Sequence, residues 1–157
     1  VLLYAWIFYD AKLYSDMLLQ VLFAFLQGYG WWRWSTGGLD HGKVHVGQLA
    51  LGEAAIGLIV GALGALLLGS LMATFTDAAV PWLDASLTAF SLVASVWAAR
   101  KYVASWWLWI VLDVVYVGMY LFKDLHLTAG LYAGFILLAL YGWREWRRDL
   151  RVQRALS

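Results

Sequence analysis

The sequence predicts an all-α integral membrane protein on a 3+1+3 plan, two parallel three-helix repeats joined by one connecting transmembrane helix. Three observations lead there. Of the 157 residues 64% are hydrophobic and 13% charged, against roughly half and a quarter in ordinary soluble domains. The apolar residues gather in runs of about 20, the length that crosses a bilayer. Finally, Tyr4–Trp34 laid over Tyr116–Trp146 pairs Tyr4, Leu13, Leu19, Phe23, Leu26, Tyr29, Gly30, Trp31 and Trp34 with identical residues. Both segments end in Tyr-Gly-Trp-x-x-Trp and both cross in the same direction, so the repeat is parallel, about an axis along the membrane normal. Two three-helix units in parallel need one extra crossing between them to restore direction.

Taken in order, Val1–Tyr9 is the tail of an apolar helix and Asp10–Lys12 a polar turn. Leu13–Trp32 is a helix ending in Trp31-Trp32-Arg33-Trp34, a cluster suited to a membrane interface. Ser35–Lys43, rich in Gly and polar residues, is a loop. Val46–Thr74 is the connecting helix, and its glycines at 47, 52, 57, 61, 64 and 69 allow close helix approach in lipid. After a loop at Thr76–Val80, Pro81 opens a helix that runs to Ala99 and is closed by Arg100-Lys101. Tyr102–Phe122 and Leu125–Trp143 are the last two spans, followed by a polar tail carrying Arg144, Arg147, Arg148, Arg151 and Arg154. The domains are thus 1–34, the remainder of the first unit; 35–80, loop and connecting helix; 81–146, the second unit; and 147–157, a basic tail. By the repeat register, the first helix and most of the second are expected to lie ahead of Val1. Lys and Arg collect in cytoplasmic loops, which puts Arg33, Arg100-Lys101 and the arginine tail inside, the C-terminus with them.

The chemistry centres on Trp106-Trp107-Leu108-Trp109-Ile110-Val111-Leu112-Asp113, which places a carboxylate in mid-span. At helical spacing Trp106, Trp109, Asp113, Tyr116 and Tyr120 share a face. An ionisable group at membrane depth is expensive and marks a pathway or a ligand. This face is read as half of a site for a flat cationic small molecule. A parallel two-unit transporter holds its substrate near the midplane between units. On the earlier helix Asp16, Gln20, Phe23, Gln27 and Gly30 share a face, with repeat partners Thr128, Tyr132, Phe135, Ala139 and Gly142.

Each of these residues has a plainer role to weigh. Asp113 can bond a neighbouring helix, Trp106 and Trp107 can be interfacial belt residues, and Gln20 can join helices through its amide. Glu53 is read as structural, Asp84 as gating or solvated, Lys123 with Asp124 as an interfacial pair, and His126 as an outer-surface residue. His41 and His45 stand at i, i+4, but Gly42 and the loop around them oppose a metal site. Net charge is +1, which gives no field for nucleic acid. The absence of Cys removes thiolate chemistry and disulfides. No Ser/His, paired-Asp or metal constellation sits at membrane depth, so no enzyme and no cofactor are expected. Without a Walker A loop transport is expected to be passive. A structural scaffold or sensor is the rival class, though it has no use for a carboxylate among indoles.

Several runs together resemble the PnuC-type vitamin transporters. They are Pro81-Trp82-x-Asp84, Thr88-x-x-Ser91, Arg100-Lys101, Trp106-x-x-Trp109-x-x-x-Asp113 and Lys123-x-Leu125-x-Leu127-Thr128-Ala129, with Lys12-Leu13-Tyr14-x-Asp16, Leu19-Gln20 and Tyr29-Gly30-Trp31 in the earlier unit. The resemblance implies a fold related to the SWEET sugar facilitators and import of nicotinamide riboside, with thiamine and riboflavin as the alternatives within the family. It places Trp106, Trp109 and Asp113 in the substrate site, with Gln20 and Tyr132 contributing; Tyr116, Ser91 and Thr88 are further candidates for substrate contact. It also implies the inner membrane of a bacterial cell and a cytoplasmic kinase that traps the vitamin; a homo-oligomer is compatible with it. Two departures stand out: Ser95 where the family commonly has Gln, and Asp113 where it commonly has Asn. A pyridinium or thiazolium cation suits an aromatic cage beside a carboxylate, and neutral riboflavin suits it less.

Overall fold

The computed structural model describes residues 2–3, 14–36, 45–77 and 80–157. The side chains of 14–19, the rest of the apolar N-terminal tail, the Asp10–Lys12 turn and the loop with His41 lie outside the described residues. The described part is all-helical: α1 Tyr14–Thr36, α2 Leu51–Phe75, α3 Pro81–Ala99, α4 Ala104–Phe122 and α5 His126–Leu156. Helices α2 to α5 are each long and apolar enough to cross a membrane. The 19 residues of α3 and of α4 measure about 28 Å, matching a hydrocarbon core of about 30 Å. The chain forms two compact units, Val1–Val44 and His45–Ser157.

In the first unit α1 ends in local bonds. Arg33 Nη1 donates to Tyr29 Oη at 3.3 Å, and the Ser35 and Thr36 hydroxyls donate back to the Trp32 carbonyl at 3.2 and 2.7 Å. These occupy carbonyls and hydroxyls that a helix end otherwise leaves to solvent. The Tyr29 and Trp32 rings lie 6.1 Å apart.

In the second unit the helices pack in chain order, α2 on α3, α3 on α4 and α4 on α5. The glycines of α2 work as seats for rings. A Cβ at Gly57 would stand 2.6 Å from the Trp97 ring, one at Gly61 2.6 Å from Phe90, and one at Gly69 would collide with Trp82. Gly61, Ala65 and Gly69 recur every four residues and are the buried positions of α2, so one stripe of small residues receives three rings of antiparallel α3. Lipid tails are as apolar as Leu, and such shape matching is what holds helices together there. Between α3 and α4 the core is Leu87, Ala94, Leu112 and Met119, with Phe90, Trp109, Tyr116 and Tyr120 packed around it.

Beyond α1, which runs on to Thr36 past the expected Trp32, the boundaries depart from the sequence expectation in three places. Helix α2 starts at Leu51 rather than Val46 because Gly47 is taken up elsewhere. Its N–H donates to the Lys101 carbonyl and its carbonyl accepts from Val103 N–H, both at 3.1 Å. The same pairing delays α4 to Ala104. Most visibly, α5 does not stop at Trp143 but continues through the arginine tail to Leu156. Arg, Glu, Leu, Gln and Ala are strong helix formers and no Gly or Pro interrupts them. The tail arginines recur three or four apart and share one helical face. The Arg147 guanidinium lies 5.2 Å from the Trp143 ring centre, and Arg154 donates to Gln48 Oε1 at 2.8 Å.

Both turns of the α3–α4–α5 unit have the same Schellman geometry. Lys101 N–H bonds the Ala98 carbonyl and Tyr102 N–H that of Trp97; Asp124 N–H bonds Leu121 and Leu125 N–H bonds Tyr120. The residues in the left-handed conformation are Lys101, φ 62°, and Asp124, φ 57°, where glycine is usual.

Ring seating gives a paired test. Gly61→Ala should lower thermal stability in detergent by about 1–3 kcal/mol, the usual cost of overpacking. Gly52→Ala, with nothing within 4 Å of the added carbon, should leave it unchanged or raise it. Equal melting of the two variants contradicts the seating.

Candidate functional site

Asp113 is the tenth of the 19 residues of α4, about 14 Å from either end. It is 3% exposed, and among the described residues no side chain hydrogen-bonds it or pairs with it as an ion. Translocon insertion puts an Asp at helix centre at about 2.5–3.5 kcal/mol uphill, so the helix carries this group against its own partitioning.

Around it α3, α4 and α5 bring aromatic and hydroxyl groups together. Tyr116, one turn beyond Asp113, lies 3.4 Å from Ser91 Oγ through its hydroxyl. Ser91 is 2% exposed on α3, and small Ala94 and Ser95 one turn on leave α3 thin on this side. Tyr132 of α5 tilts against Tyr116 at 4.8 Å and Tyr120 at 5.1 Å between ring centres. Tyr116 and Tyr120 stack at 5.9 Å, 13° between planes. Asp113 stands one turn before Tyr116 on the same face of α4. Of the sequence-designated residues, Asp113, Tyr116, Tyr132 and Ser91 thus form one cluster. Trp109 packs on the α3–α4 core one turn away. Thr88 is half-buried one turn before Ser91 on the same helix.

Trp106 is placed differently. Its ring meets Trp146 edge-on at 5.1 Å and lies over Gly142, where a Cβ would stand 2.6 Å away. Its indole Nε1 is buried without a hydrogen-bond partner among the described residues, as is Ser105 Oγ beside it. Trp107 meets Trp143 at 5.2 Å and is half-exposed, as a belt residue would be. Gln20 is half-buried on α1, in the other unit.

Sequence reasoning put Tyr120 and Phe135 on the candidate faces without designating them substrate contacts, and it passed over Ser105. Tyr120 was visible on the Asp113 face, and Phe135, 5.2 Å from Tyr132, was visible as the repeat partner of Phe23. Ser105 gave no signal, since one Ser before two tryptophans reads as a helix start. The interfacial pairing of Lys123 with Asp124 is corrected. Lys123 Nζ reaches Asp84 Oδ2 at 3.5 Å, tying the start of α3 to the end of α4, while Asp124 lies 3.9 Å from His126. The left-handed turn at Asp124 carries its side chain away from Lys123. Glu53 is exposed, and it borders a cleft of about 510 Å³ between α2 and α3 whose walls include Gly57, Val60, Leu92, Trp97 and Arg100. None of the designated site residues lines that cleft. Among the described residues no group of His, Asp and Glu could hold a metal ion.

Residues 1–148 match the family described as nicotinamide mononucleotide transporter. The chain belongs to that family. It is 29% identical to the nicotinamide riboside transporter PnuC of Escherichia coli, over 184 aligned positions covering 100% of this chain and 77% of that one. The PnuC of Shigella flexneri gives the same values. The riboflavin/roseoflavin transporter RibM of Streptomyces davaonensis is 28% identical over 130 positions, 78% of this chain and 61% of RibM. In structure the chain is similar to the crystal structure of the vitamin B3 transporter PnuC, with a TM-score of 0.69 and 23% identity, covering 95% of this chain and 68% of that one. As a member of the nicotinamide mononucleotide transporter family, the protein is a multi-pass membrane transporter with that fold.

The Ser91–Tyr116 contact can be checked by a double-mutant cycle. Ser91→Ala and Tyr116→Phe should each destabilise the protein by about 1 kcal/mol, with a coupling of about 0.5–1 kcal/mol. A coupling near zero in thermal or denaturant unfolding means that the two hydroxyls do not bond.

Proposed function

We propose that the protein imports a flat organic cation, nicotinamide riboside foremost, across the bacterial cytoplasmic membrane by alternating access and without ATP hydrolysis. The observation that carries this is Asp113: central in its span, 3% exposed, without a cationic partner among the described residues, and beside the Tyr116–Tyr132 pair. A permanent cation resting there supplies the charge the carboxylate lacks, and each good ring contact adds about 0.5–2 kcal/mol. In this proposal Trp106 and Trp109 flank the ring of the substrate. Tyr116, Tyr132, Ser91 and Thr88 meet its polar groups, with Gln20 kept as a contributor. The unpartnered Trp106 Nε1 offers a donor for a ribose or amide oxygen.

Thiamine, whose thiazolium is also a permanent cation, fits the same argument. Riboflavin has a relative in its favour, since RibM is named for it, but a neutral ring leaves the Asp113 charge unanswered. The proposal keeps residues 1–34 in a first three-helix unit and 81–146 as the second, with the arginine-bearing end of α5 in the cytoplasm. There a kinase would trap the vitamin by phosphorylation, and nothing in the scheme requires or forbids a homo-oligomer.

Titration of the purified protein with nicotinamide riboside, thiamine and riboflavin should quench tryptophan emission with the first and leave riboflavin without saturable effect. Asp113→Ala should abolish cation uptake while expression and membrane insertion persist. Unchanged uptake by that variant removes Asp113 from the site, and silence towards all three vitamins favours a scaffold.

A further inference from the structure

The antiparallel packing of α2 on α3 brings the start of one helix beside the end of the other. Glu53 stands in the first turn of α2 and Arg100 at the C-cap of α3, each charge having the sign that its helix end favours. Both border the cleft of about 510 Å³ between the two helices, together with Leu49 and Tyr102. Beyond that end the walls are apolar or lack a side chain, with Gly57, Val60 and Gly64 on α2 and Leu92 and Val96 on α3. Gly64 faces Ala89 across the cleft, so neither helix fills the space at that level. From Arg100 to Ala89 the cleft follows α3 for about 16 Å, and one leaflet of hydrocarbon is about 15 Å deep. Val60 and Val96 are 57% and 37% exposed, so the slot is open along its side. It is an apolar groove one leaflet deep with an anion and a cation at its mouth.

A groove of this kind in a bilayer is filled, because its walls otherwise lose their dispersion contacts. The occupant has to be apolar through one leaflet and carry both signs of charge at one end. A fatty acid, or a headgroup whose only charge is its phosphate, answers Arg100 and opposes Glu53. A quaternary choline has the charge for Glu53 but no N–H to donate, whereas a primary ammonium has three. We propose that the α2–α3 cleft seats one phospholipid with a primary ammonium headgroup, phosphatidylethanolamine. Its phosphate meets Arg100, its ammonium donates to Glu53, and an acyl chain lies along Val60 and Val96. The lipid then belongs to the packing of α2 on α3 and not to the transport path, since none of the designated substrate residues lines this cleft.

The chain has no Cys, which allows a single thiol fluorophore to report on the groove. Val60→Cys places it inside; Leu63→Cys, on the same helix, 61% exposed and outside the cleft, is the control. Each labelled protein is reconstituted in phosphatidylcholine vesicles, and phosphatidylethanolamine or phosphatidylglycerol with brominated acyl chains is added as quencher. The Val60→Cys label should reach half-quenching at about two- to fivefold lower mole fraction of the ethanolamine lipid, the range of one exposed ion pair. The Leu63→Cys label should respond to both lipids alike, and its quenching shows that the chain is inserted. Adding Glu53→Gln should abolish the preference at Val60→Cys, and Glu53→Lys should turn it towards phosphatidylglycerol. Equal response of the Val60→Cys label to the two lipids, the same preference at Leu63→Cys, or a preference that survives Glu53→Gln overturns the proposal. A Val60→Cys label that neither lipid quenches also overturns it, because protein, from the first unit or from a second copy, then fills the groove.

Discussion

Aromatic rings seated on glycines set the geometry of this protein. In lipid no hydrophobic gain drives one apolar helix onto another, so association rests on shape and on the few polar groups available. Trp97, Phe90 and Trp82 of α3 fill the row of Gly57, Gly61 and Gly69 on α2, and Trp106 of α4 does the same on Gly142 of α5. Once α3 is fixed from one side and α5 is fixed to α4, the face of α4 that carries Asp113 is presented between Ser91 and Tyr132.

That face is internally graded. Towards one end Trp106 and Trp107 are engaged with Trp146 and Trp143 in edge-on pairs. Towards the other Tyr116 and Tyr120 stack, and Tyr132 tilts against both. Asp113 stands at the change from indole to phenol, with ring faces on one side and phenol oxygens on the other.

Much of this was legible in the chain. The apolar runs placed α2 to α5 in order and gave α3 and α4 nearly at their true limits, and Pro81 marked the first turn of α3. The periodicity of Trp106, Trp109, Asp113 and Tyr116 was enough to define the face, because α-helical spacing is the one geometry a membrane span can adopt without leaving backbone groups unbonded. What could not be read were contacts between elements. That Lys123 turns to Asp84 depends on a left-handed residue at 124, and that Gly47 leaves α2 for the α3–α4 turn depends on where that turn lies. The continuation of α5 past Trp143 was hidden by polarity, which signals the end of a span but not of a helix. The arrangement of α1 relative to the second unit is of the same kind, since the repeat relates sequences and does not dock them.

The two Schellman turns set side-chain identity against backbone comfort. Left-handed geometry costs a side-chain-bearing residue roughly 1–2 kcal/mol that glycine avoids, yet these positions hold Lys101 and Asp124. Glycine at either would relax the chain and at the same stroke erase a charge from the rim of the bundle, Lys101 being half of the basic pair that follows α3. Loop relaxation and retained charge therefore compete at the same two residues, and in this protein the charged side chains stand.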